Sequence, residues 1–79
     1  MDELEEQIMQ YAERVNDWFT PRQAFNAIFP DKTFSSTKWE TYKFMDRHRS
    51  LTKYGFLERE TFHPEGTGYT RYHYRIKRD

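Results

Sequence analysis

The chain reads as an α+β domain, three helices followed by a two-stranded antiparallel hairpin, because its apolar period changes once, at Gly55. Before that glycine the apolar residues recur at helical spacing. After it, two runs rich in aromatic and β-branched residues alternate with polar ones and flank a loop containing Pro64, Gly66 and Gly68. A chain of 79 residues supports one core, so residues 1–79 form a single domain.

The first helix is expected from about residue 2 to 16. Leu4, Ile8, Tyr11, Ala12 and Val15 form one apolar stripe, and glutamates fill the first turn, where the helix dipole favours them. Asn16-Asp17 ends it, and Trp18-Phe19 follows as a short extended apolar pair. Thr20-Pro21 has the form of an N-cap followed by proline at the first helical position, which opens a second helix over about 21 to 28 with Ala24, Phe25 and Ile28 inward. Pro30 to Thr33 is a turn. Thr37 and Glu40 have the spacing of a capping box, and a third helix is expected over about 38 to 53. Arg49 and Lys53 suit its last turns, and Gly55 suits the left-handed position just beyond its end. Residues 56–62 and 69–77 are then antiparallel strands joined by the loop from His63 to Gly68.

Seven Phe, six Tyr and two Trp stand against only seven Val, Ile or Leu, so a few large rings must close the core. There is no cysteine, which removes disulfides and thiolate metal sites. No segment is long and apolar enough to span a membrane, and the start is acidic where a signal peptide would be basic; the expected location is the cytoplasm. The formal net charge of zero hides a split. Asp2, Glu3, Glu5, Glu6, Glu13 and Asp17 face Arg14 alone in the first 17 residues, while cations dominate the remainder. Such asymmetry fits either a basic surface for a polyanion with an acidic element turned away from it or a solvated acidic helix beside a mixed surface.

Thr20-Pro21-Arg22-Gln23-Ala24, and Leu51-Thr52-Lys53-Tyr54-Gly55-Phe56-Leu57-Glu58-Arg59, set in this order of elements, resemble a winged helix-turn-helix domain. The first stretch is similar to the start of that family's second helix. The second is similar to its passage from recognition helix into the wing. The resemblance covers nearly the whole chain and implies a small transcriptional regulator whose third helix enters the major groove of double-stranded DNA, with a wing over residues 62–70 on flanking backbone or minor groove.

With Phe44 and Leu51 taken as the inner face of the third helix, Trp39, Tyr42, Asp46, Arg49, Ser50 and Lys53 fall opposite, with Lys38 and Lys43 at the margins. Cations interleaved with rings suit a nucleic-acid groove; alternatively Trp39 and Tyr42 cover the first helix or the turn. Ser36, with Ser35 and Thr37, stands at the helix entrance, where a hydroxyl can hold a phosphate oxygen or simply cap the helix. In the second strand Tyr72, Tyr74 and Ile76 alternate with Arg71, His73, Arg75 and Lys77, giving an aromatic face for the core and a basic one for solvent or DNA. Arg71, beside the turn, is the foremost wing residue of this set, and cations that merely guard a strand edge are the structural alternative.

Catalysis has little support. His48, His63 and His73 match no compact metal motif, the glycines are too few for a phosphate loop, and a domain this small offers little depth for a water-excluding site. No cofactor or metal is expected. The expected partner is duplex DNA, bound by a homodimer that uses the first helix, with Met9 and Tyr11 near its stripe, as interface. The other reading is a winged-helix module that binds protein in a transcription or replication assembly, favoured by the balanced net charge, Asp46 and the two outward rings.

Overall fold

Capping fixes where the helices begin and end. Asp2 accepts a hydrogen bond from the Glu5 amide at 2.8 Å while the Glu5 carboxylate accepts from the Asp2 amide at 3.0 Å, and this reciprocal box starts α1, Glu3–Val15. Asn16 closes α1 in the left-handed region, at φ 50°. Thr20 and Gln23 form a second box, with Pro21 in the first turn, and open α2, Pro21–Ile28. The third helix, α3, spans Trp39–Lys53. The computed structural model describes residues 1–35, 38–66, 68 and 70–78.

Thr37 of the expected third capping box lies outside the described residues, and the N-cap position belongs to Lys38, whose side chain makes no capping bond. At the other end α3 closes as the sequence requires. Gly55 sits at φ +87°, its amide donates to the Thr52 carbonyl at 3.1 Å, and the Phe56 amide donates to the Leu51 carbonyl at 2.9 Å. These are the two bonds of a Schellman ending, which needs a left-handed residue where glycine stands.

The chain then pairs β1, Leu57–Phe62, with β2, Arg71–Ile76, in antiparallel register from Leu57 opposite Ile76 to Phe62 opposite Arg71. Both strands are shorter than the sequence alternation implies, and Phe56 stays outside β1 and half exposed. The extended pair Trp18-Phe19 has a definite task. Phe19 and Tyr74 exchange amide and carbonyl hydrogen bonds, each 2.8 Å, which ties the segment between α1 and α2 to the hairpin.

The core is built from rings, as the scarcity of aliphatics demands. Phe25 lies 5.3 Å from each of Phe29, Phe34 and Phe44, and Phe44 continues to His48 at 4.9 Å and His48 to Tyr74 at 5.1 Å. Ile8, Ala12, Leu51 and Leu57 fill the spaces between. His48 is wholly buried on the inner face of α3. Its Nδ1–H donates to the Phe44 carbonyl at 2.9 Å, which fixes the neutral tautomer and leaves Nε2 without a hydrogen-bond partner. Burial drives its pKa down to about 4, with the Phe44 carbonyl opposing. No helix among the described residues is long and apolar enough to cross a membrane.

Candidate functional site

The packing of α3 against the hairpin leaves a groove of about 630 Å³ between them, closed at one end by the start of α2. Arg22 from α2, Arg49 from α3 and Arg59 from β1 line it, and Thr70 and Arg71 border it at the loop end of β2. Its apolar lining is Phe34, Met45 and Tyr72, with buried Tyr74 beneath. No carboxylate occurs among the described residues that line it.

Two of the arginines are held by rings. The Arg22 guanidinium lies 5.1 Å from the Phe34 centroid, and that of Arg59 lies 4.5 Å from Tyr72. Burial pushes the Tyr74 phenol above its ordinary value, and a hydrogen bond from Arg59 and the charge of Arg49 pull against that rise. The groove therefore combines a positive field with a partly apolar lining.

Helical spacing puts Lys38, Tyr42, Met45 and Arg49 in one row on the groove side of α3. Trp39 and Tyr42 are 74% and 57% exposed, so neither ring covers α1. Lys53 lines an adjoining depression with Arg49 and Arg59, in which Asp46 is the one carboxylate among the described lining residues. Lys43 goes the other way. It shares a depression with Asp2, Glu3 and Arg47 at the start of α1, and there Arg47 pairs with Asp2 at 2.7 Å. That pairing belongs to an electrostatic seam in which the Glu5 amide, more than Arg47, holds the Asp2 carboxyl below its usual value.

The outer face of the hairpin is occupied by its own groups. Trp18 stacks on His73 at 4.3 Å, His73 stacks on Phe62 at 4.8 Å, and the Arg75 guanidinium sits 4.2 Å from the other ring system, Trp18. Cross-strand glutamates complete it: Glu60 bonds His73 at 2.9 Å, and Glu58 bonds Arg75. His73 and Arg75 thus stand apart from the α3 cations, on the opposite side of the sheet. Ser36 lies outside the described residues.

Comparisons with family models, curated proteins and solved structures found no match. The site therefore rests on its geometry. Of the sequence candidates, Arg49 and Arg71 reach the groove, and Lys38, Trp39, Tyr42 and Lys53 share its side of α3 or its margin. Arg22 and Arg59 join them without having been singled out in the sequence. Arg59 could have been found from the register, since it is opposite Tyr74 and so shares the inward face. Arg22 carries no such signal, because only the packing of α2 against α3 brings it there.

Proposed function

We propose that the chain is a winged helix-turn-helix domain that binds double-stranded DNA, with α3 in the major groove and the hairpin as a wing on flanking backbone. The observation that carries this reading is the convergence of Arg22, Arg49, Arg59 and Arg71, from four separate elements, on one groove beside α3 with no carboxylate among the described lining residues. Guanidiniums arranged in this way neutralise phosphates, and Asp2 and Glu3 at the start of α1 lie in a separate depression with Lys43 and Arg47. Tyr42 and Arg49 stand in the outward row of α3 and are assigned to base edges; Lys38, Lys53 and Arg71 are assigned to phosphates. Regulation of transcription follows as the role, with a homodimer supplying paired half-sites. In α1, Ile8 and Ala12 are consumed by the core, which leaves Leu4, Met9 and Tyr11 as the partly exposed residues for self-association.

One observation favours a protein-binding module instead: Trp39, Tyr42 and Met45 are all exposed on successive turns of α3. A titration with random duplex at two salt concentrations, followed by selection of bound sequences, separates the two. Binding that weakens steeply with salt and enriches a motif supports DNA; no duplex binding at low salt transfers the assignment to protein.

A further inference from the structure

Cations alone do not account for the groove's lining. The sugar-phosphate ridge of a duplex keeps its bases stacked inside and offers no planar ring to a neighbouring cleft, yet Phe34, Met45 and Tyr72 present apolar surface next to the guanidiniums. Tyr72 and Met45 are both exposed, and a ring and a thioether facing solvent gain by covering with a flat apolar group. Arg22 and Arg59 already lie on rings, which preorganises their planar forks and lowers the entropy lost when they grip an oxyanion. At about 630 Å³ the groove has the size of a small-ligand site rather than of an extended docking track.

We infer that this groove is a nucleotide site: Arg22, Arg49 and Arg59 take the phosphates, and an unpaired base lies against Tyr72 and Met45. The chemistry is a phosphate ester joined to a planar heterocycle, supplied either as a free nucleotide or as a nucleotide of a single strand. Arg71, at the loop end, is placed to meet a further phosphate in the second case. Arginine forks also fit carboxylates, so an acidic peptide is the competing occupant. The nucleotide is favoured because the groove gathers its cations and its apolar surface within one small volume, whereas an acidic helix needs a stripe of each. The inference does not depend on duplex binding.

The test uses the full chain and four probes: ATP, inorganic tripolyphosphate, tetrathymidylate and a poly-glutamate peptide, titrated by calorimetry and followed by the arginine side-chain N–H signals. ATP is expected to bind roughly tenfold tighter than tripolyphosphate, since one base stacking on an aromatic ring supplies a factor of that order. Tyr72→Ala, or Tyr72→Leu where the alanine variant does not fold, should remove that advantage: tripolyphosphate weakens only by what Arg59 loses with its ring support, and ATP weakens roughly tenfold more than tripolyphosphate does. Arg22→Gln should weaken both probes alike. Tetrathymidylate binding tighter than ATP assigns the site to a strand, and the reverse assigns it to a free nucleotide; either supports the inference. Equal binding of ATP and tripolyphosphate, displacement of ATP by poly-glutamate at equal concentration, or no binding of ATP and tetrathymidylate would overturn it. A random 20-base-pair duplex run alongside keeps the two ideas apart. Duplex binding without ATP or tetrathymidylate binding sinks this inference alone, and ATP binding without duplex binding sinks the proposed function alone.

Discussion

The two faces of the hairpin contain the same kinds of residue and have opposite fates. On the outer face His73 and Arg75 meet Glu60 and Glu58 across the strand pair and are stacked into a column with Phe62 and Trp18. On the inner face Arg59 meets no carboxylate across the sheet: its register partner is Tyr74, and its guanidinium rests on Tyr72. A cation's residue type thus says little about whether it can bind a polyanion. Register decides, by giving one arginine a glutamate opposite and another a tyrosine.

The largest effect expected concerns the core beneath the inner face, where His48 packs against Tyr74. Its pKa of about 4 in the folded chain lies below the ordinary 6.5, so the neutral ring's contribution is complete above about pH 6.5 and is lost as pH falls toward 4. The fall should approach about 3 kcal/mol. Urea denaturation at a series of pH values should show it, and His48→Leu should flatten the curve between pH 6.5 and 5. An unchanged pH profile in that variant would remove His48 from the account of stability.

Next in size is the outer column. Trp18→Ala removes one stacked pair and one cation–π contact and should cost about 1 to 2 kcal/mol in denaturation while leaving any affinity for duplex DNA within twofold. Lost binding in a folded Trp18→Ala protein would break the division between the two faces. Gly55→Ala should cost about 1 kcal/mol, because an L-residue is strained at φ +87° although nothing lies within 4 Å of the added Cβ. Glu58→Gln is the smallest, below about 1 kcal/mol, since its pair with Arg75 is substantially exposed. A larger cost there would mean that the outer face is held by charge rather than by stacking.

These residues also show how far the sequence carries. Thr20-Pro21 and Gly55 mark element ends through local backbone chemistry, and the structure places them as the sequence indicates. The hairpin was legible from alternation, though not its length: Phe56 continues the alternation but is taken by the ending of α3, where its amide donates to the Leu51 carbonyl. Lys38 and Lys43 stand at opposite margins of the outward face of α3, and only the positions of α1 and the hairpin decide that Lys43 goes toward Asp2 and Lys38 joins the groove-side row. His48 is polar in composition and interior in fact; its inward placement follows from its spacing of four from Phe44, at the cost of an unpartnered ring nitrogen. The groove itself was legible in part: Arg49 and Arg71 follow from the helical face and the strand end and Arg59 from the register, whereas Arg22 reaches it only through the packing of α2.

The central claim is that the groove beside α3, not the outer column of Trp18, His73 and Arg75, meets nucleic acid. Duplex binding measured over a range of salt concentrations for Arg59→Gln and Arg75→Gln tests it most directly, because each lost phosphate contact makes the slope of log affinity against log salt shallower by about 1. Arg59→Gln should lower the slope by that amount, and Arg75→Gln should leave it unchanged. A shallower slope for Arg75→Gln with none for Arg59→Gln would contradict the account.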